Sequence, residues 1–203
     1  MAERLGLFGG SFDPVHYGHL LLAECCREQA GLHQVIFLPA AVPPHKQERP
    51  ITPSAYRVEM LELAIAGHEH FCVSRYEAQR QGVTYTVDTL RYFRQEHPQA
   101  ELFLLLGADM FNDLPHWHGA EEVCRLALPL VARRAGAVEI DFGLLAHLVE
   151  PDRLEAIRRH QVEMPAIGIS STDLRRRVAA GRSIRYQTPR AVEEYIRNHG
   201  LYR

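Results

Sequence analysis

Apolar runs of strand length alternate along this chain with segments of helical period, the sequence sign of βαβ units wound on a parallel sheet. The first run spans Arg4 to Phe8. After a glycine-rich loop, Gly18 to Ala30 places Leu20, Leu21, Ala23, Glu24 and Arg27 as a helix with one buried face requires. Gln34 to Leu38 predicts a second strand. Its exit, Pro39 to Pro53, holds five prolines and is therefore a long loop rather than regular structure. Ser54 to Gly67 predicts a helix capped by Ser54 and stopped by Gly67, with a strand over Phe71 to Ser74 behind it. Thr84 to His97 predicts a third helix, ended by Pro98. The run Glu101 to Leu106, ELFLLL, reads as a strand buried on both faces that leads straight into Gly107-Ala108-Asp109. Glu121 to Leu126 predicts a helix and Leu128 to Ala132 a strand. From Arg133 to Pro165 the pattern is weak and predicts only a short helix near Phe142 and one or two strand pieces. Ser170 to Ala180 and Pro189 to Asn198 predict closing helices, with Thr188-Pro189 as cap and first turn.

Composition narrows the class. The 203 residues are 46% hydrophobic and 24% charged, which excludes a disordered or collagen-like chain. Twenty-five acidic against 23 basic residues give a net charge of −2, so no bulk field draws the protein to nucleic acid or to an anionic membrane. Phosphate recognition must then be local. No stretch reaches the roughly 18 successive apolar residues of a membrane span, and MAERLGLFGGSFDP lacks the pattern of a signal peptide, so a cytoplasmic protein is expected. Cys25, Cys26, Cys72 and Cys124 show no metal or disulfide spacing and read as reduced packing thiols. The expected architecture is one α/β domain over residues 1–203, a doubly wound parallel sheet with the helices from about residue 170 onward packed on its core.

Four groups of residues carry candidate chemistry. Gly9-Gly10 at the exit of the first strand let backbone approach a bulky anion, and the helix that follows offers its N-terminus. The dinucleotide spacing GxGxxG is absent, so hydride transfer has little support. His16 and His19, three apart with Gly18 between them, can turn both imidazoles toward one phosphate. Lys46 is the only lysine among the basic residues, placed in the proline-stiffened loop. Ile169 to Arg175 starts a helix whose Ser170 or Ser171 can cap it while backbone N–H groups, hydroxyls and Arg175 face an anion. Trp117, the sole tryptophan, is either a core residue or a half-exposed plate for a flat ring, the latter favoured by His116 and His118 around it. Asp109 is either a ligand contact at a strand exit or a helix cap. His68-Glu69-His70 and His116-Trp117-His118 lack further ligands, so no metal site is expected.

GGSFDPVHYGH resembles the HxGH signature of the nucleotidyltransferase superfamily, and its longer form is similar to that of bacterial nicotinate-nucleotide adenylyltransferases. Further segments match that family in order: Pro43-Pro44-His45-Lys46, Arg57, Tyr85 to Leu90, Gly107-Ala108-Asp109, Trp117-His118, and Ile169 to Thr172 with Arg175. The resemblance implies a Rossmann-like nucleotidyltransferase fold. It also implies transfer of AMP from ATP to nicotinate mononucleotide, with Mg2+ accompanying ATP. On that reading His16, His19, Lys46 and Arg175 are catalytic. Gly9, Gly10, Ser11, Phe12, His45, Gly107, Asp109, Arg134, Ile169, Ser171 and Thr172 bind ATP. Tyr85, Thr86, Val87, Trp117, His118 and Arg57 bind the acceptor. Relatives often carry Arg-Pro-Gly where this chain has Arg134-Ala135-Gly136, which sets the Arg134 contact apart from the rest. The partners implied are small molecules, with no nucleic acid and no membrane; a homo-oligomer is compatible with the sequence, which carries no signal for or against one. The alternatives are an HxGH relative that uses nicotinamide mononucleotide or another phosphate acceptor, and a nucleotide sensor without turnover.

Overall fold

The computed structural model describes residues 2–41, 51–80, 82–134 and 138–203, with only the backbone of Arg134. Six strands, β1 (Arg4–Gly10), β2 (Gln34–Pro39), β3 (Phe71–Val73), β4 (Glu101–Gly107), β5 (Leu128–Arg134) and β6 (Gln161–Met164), form one sheet in the order β3-β2-β1-β4-β5-β6. Arg4 pairs with Glu101, Phe103 with Leu128 and Val131 with Gln161, each in parallel register. The order reverses direction at β1, the doubly wound arrangement in which ligands bind beyond the carboxyl ends of the strands. Leu102 to Leu106 of β4 are all nearly inaccessible to water, as an apolar run with helices over both faces must be.

The helices are α1 (Tyr17–Gln29), α2 (Ser54–Ile65), α3 (Thr86–Glu96), α4 (Ala108–Asp113), α5 (Ala120–Leu126), α6 (Pro151–Arg159), α7 (Ser171–Ala179) and α8 (Arg190–Asn198), with 3-10 turns at Leu114–His116 and Phe142–Leu145. Contacts group the chain into two compact units. The first comprises Met1–Phe8, Leu22–Ile36 and Tyr85–Ala166; the second comprises Gly9–Leu21, Phe37–Thr84 and Ile167–Arg203. In the first, α3 and α5 pack together, and Arg94 ties the chain ends beside them by donating to the carbonyls of Ala100 at 2.7 Å and Leu126 at 3.0 Å. In the second, α2 packs on β3 and α8.

Several local expectations are corrected. Ser54 does not cap α2: Pro53 holds that position, and the Ser54 hydroxyl donates to the Ala78 carbonyl at 3.1 Å. Pro189 rather than Thr188 precedes α8, and the Thr188 hydroxyl donates to the Val15 carbonyl instead. Helices α4 and α6 were not predicted. Helix α6 buries only Ile157 outright, so its periodic signal is faint, although Pro151 at its first position is a regular start. All four cysteines are free; burial pushes the Cys124 thiol up to about 11, which leaves it inert as a nucleophile. No helix among the described residues is long and apolar enough to cross a membrane.

Candidate active site

The two glycines that end β1 serve different needs. A Cβ at Gly10 would lie 2.9 Å from the Phe12 ring, so Phe12 folds back over the strand only because that position is bare. A Cβ at Gly9 would meet nothing within 4 Å. Among the described residues no contact demands glycine there, and the backbone borders space that an anion can enter. Phe12 itself takes φ +47°, is wholly buried, and meets the His19 ring edge-on at 5.0 Å and Phe37 at 5.7 Å. The Phe12 ring thus has no exposed surface, and it supports His19.

His16 and His19 are stacked, with ring centroids 3.7 Å apart. The backbone N–H of His16 donates to Nδ1 of His19 at 3.3 Å, which makes that nitrogen an acceptor and places the proton of a neutral ring on Nε2. Burial lowers the His16 pKa to about 4, so this ring is neutral at pH 7 and does not repel its neighbour. Its Nδ1 is buried without a hydrogen-bond partner among the described residues. Such an orphan costs about 1–3 kcal/mol. A Cβ at Gly18 would stand 3.0 Å from that same Nδ1, so the glycine of HxGH is what admits the imidazole.

The approach to His16 is held from elsewhere in the second unit. Arg175 Nη1 donates to the Asp13 carbonyl at 2.7 Å, the Ser171 hydroxyl to the Pro14 carbonyl at 2.8 Å, and the Thr188 hydroxyl to the Val15 carbonyl at 2.8 Å. Three successive carbonyls are thus fixed. Ser170 caps α7 by accepting from the Asp173 N–H at 3.1 Å. Because the Ser171 hydroxyl is committed to Pro14, what Ser171 can offer an anion is its main-chain N–H. Thr172 is exposed and Ile169 half-buried, and Arg175 keeps about a third of its side chain open (30%). Ser11 is half-buried.

The Arg57 side chain is 0% exposed, and its guanidinium donates to the carbonyls of Thr52 (2.7 Å), Ser11 (2.8 Å), Ala40 (2.7 Å) and Ala41 (3.1 Å). The guanidinium is a clamp that joins the exits of β1 and β2 to the start of α2. His45 and Lys46 lie outside the described residues, as does the Arg134 side chain.

The first unit holds Gly107 and Asp109, expected to bind ATP, and the residues assigned to the acceptor other than Arg57. Gly107, at the end of β4, has no neighbour among the described residues within 4 Å of where a Cβ would stand, and it precedes α4 as its N-terminal cap position. Asp109 lies inside the first turn of α4, exposed, so it is not the helix cap. Trp117 is half-buried, with its indole N–H donating to Asp113 Oδ2 at 3.0 Å. The exposed Tyr85 and His118 rings lie 4.5 Å apart. Directly after Tyr85, α3 begins at Thr86 with no side chain capping it, which leaves its first N–H groups for an anion. Val87 is buried against Gly119, so only its backbone can serve a ligand. Among the described residues no three His, Cys, Asp or Glu side chains converge on a cation site. Sequence reasoning passed over Asp113, although it stands one helical turn before Trp117, and over Tyr202, whose hydroxyl donates to Asp13 Oδ1 at 2.7 Å across 189 positions that leave no local signal.

Residues 7–177 match the model of the cytidylyltransferase-like family. A Thermomicrobium roseum protein named probable nicotinate-nucleotide adenylyltransferase is 50% identical over 201 residues, 99% of this chain and 92% of that one. A Thermus thermophilus protein of the same name is 46% identical over 200 residues, 98% of this chain and 100% of that one. Among solved structures, Plasmodium falciparum nicotinic acid mononucleotide adenylyltransferase complexed with NaAD is similar in fold, with a TM-score of 0.78 over 98% of this chain and 97% of that one at 19% identity. On this footing the chain belongs to the nicotinate-nucleotide adenylyltransferases, within the cytidylyltransferase-like family.

Proposed function

We propose that the protein transfers AMP from ATP to the 5′-phosphate of nicotinate mononucleotide, giving deamido-NAD and pyrophosphate in the formation of NAD. The observation that carries the chemistry is the stacked His16–His19 pair, on the segment that follows the open backbone of Gly9 at the exit of β1. The relatives' names support the choice of substrates. The acceptor phosphate is already an anion, so no covalent nucleophile is needed: its oxygen bonds to the α-phosphorus as the bond to the departing pyrophosphate breaks. Catalysis is then alignment plus donors aimed at the charge that builds on the phosphoryl oxygens. His19 Nε2–H and the neutral His16 serve that charge; Arg175, the N-terminus of α7 and, on the sequence pattern, His45 and Lys46 hold the outer phosphates. Gly107 and Asp109 border the nucleotide, Trp117 stacks on the pyridine ring, and main-chain groups at Thr86, Val87 and His118 receive its carboxylate beside Tyr85.

Mg2+ enters with ATP as part of the substrate, held by phosphate oxygens and water. We infer that one catalytic domain spans the chain and works in the cytoplasm on small molecules. The test is pyrophosphate release from Mg-ATP with nicotinate mononucleotide, nicotinamide mononucleotide and phosphopantetheine offered separately. Strong preference for the first is expected. Release with another acceptor alone would retain the phosphate chemistry and discard the acceptor assignment, and none with any would make the protein a sensor.

A further inference from the structure

Asp13 is a buried carboxylate, 5% exposed, inside the segment that carries His16. Three groups face it. Tyr202 donates to Oδ1 at 2.7 Å, Arg175 Nη1 stands 3.9 Å from Oδ2, and Arg57 lies within its field. These groups differ in freedom. Arg57 is locked on four carbonyls, whereas Arg175 is partly open and holds the loop through a single main-chain bond, so only Arg175 can move onto the carboxylate. Tyr202 is held in the left-handed region at φ +64°, a cost that a tyrosine meets only where the surroundings fix it, and Thr52 is a second hydrogen-bond partner of its hydroxyl. The hydroxyl stays protonated, since burial first and the Asp13 charge second raise its pKa.

Resting on the reaction proposed above, we propose that Tyr202 is a positioning residue for ATP: by satisfying Oδ1 of Asp13 with a neutral donor, it keeps the Arg175–Asp13 ion pair at a loose 3.9 Å instead of a close one and leaves the guanidinium for the phosphates. Remove the hydroxyl, and Oδ1 loses its donor in a buried setting. The nearest mobile charge then closes on Asp13 and is withdrawn from the nucleotide.

Tyr202→Phe keeps the ring and tests this directly. The KM for ATP is expected to rise about tenfold, the cost of one hydrogen bond to a charged group, with kcat and the acceptor KM within about twofold. Adding Asp13→Asn to Tyr202→Phe removes the charge that competes for Arg175 and is expected to bring the ATP KM back toward the parent value. If Tyr202 acted by packing alone, the second change would add a second defect. An unchanged ATP KM in Tyr202→Phe, or additive losses in the double variant, would overturn the proposal. Failure of the parent protein to release pyrophosphate would instead strike the reaction itself, and ATP affinity by calorimetry on the same three proteins separates the two cases.

Discussion

The phosphate-facing residues and the acceptor-facing residues are held in place by opposite means. Around His16 the backbone is fixed by partners distant in sequence: Ser171 on Pro14 across 157 positions, Arg175 on Asp13 across 162, Thr188 on Val15 across 173. The Trp117 indole, by contrast, is held by a neighbour, Asp113, four residues away. The first kind of construction makes geometry depend on the whole second unit. The second confines the hold of Asp113 on the indole to a single turn. Substitutions near His16 should therefore disturb stability or turnover, and those near Trp117 only the handling of one substrate.

The contrast breaks most sharply at Arg57. Arg57→Ala strands four carbonyls and should cost about 3–5 kcal/mol of stability in denaturant unfolding. Arg57→Lys should restore little, because an ammonium cannot reproduce the planar fork. A variant that melts like the parent protein would show that these carbonyls do not need their donor. His19→Ala should next lower kcat about a hundred- to a thousandfold, equivalent to roughly 3–4 kcal/mol of charge stabilisation, with the fold intact by circular dichroism. Near-normal turnover would remove His19 from the chemistry.

His16 gives the contrast a pH axis. Its pKa is about 4 in the folded chain and near 6.5 when unfolded, so between those values the unfolded state binds the extra proton. Stability is full above pH 6.5, falls by up to about 3 kcal/mol as pH drops to 4, and is not lost further through this group below that. Thermal melts of the parent protein and of His16→Asn across that window should converge as pH falls; parallel curves would deny the desolvated ring its part. Trp117→Ala is expected to raise the mononucleotide KM about tenfold and leave the ATP KM alone. The smallest effect belongs to Asp113→Ala, which frees the indole to turn and should raise that same KM about threefold. A rise in the ATP KM from either change would erase the distinction between the two regions.

How much of this was legible in the chain follows the same divide. ELFLLL announced β4 because a strand covered on both faces must be apolar throughout, and HxGH announced the histidine pair because Gly18 has one evident use between two rings. The burial of Arg57 was written in the sequence and went unread: Arg57, Leu61 and Ile65 lie four apart on the buried stripe of α2, so an arginine there had to find partners inside. Ser54 and Thr188 looked like caps because their residue types cap helices, yet each hydroxyl bonds a distant carbonyl that no local window contains. Tyr202 is the extreme case. Nothing within 180 positions of it hints at Asp13.

The three clamped carbonyls at Asp13, Pro14 and Val15 also set the unit of inheritance for this site. A chimera that takes residues 9–21 from a relative while retaining 167–203 would pair a new loop with hydroxyls and a guanidinium placed for the old one. Exchanged together, the two segments form a transferable cassette, and lineages that recombine genes should show them changing hands as one.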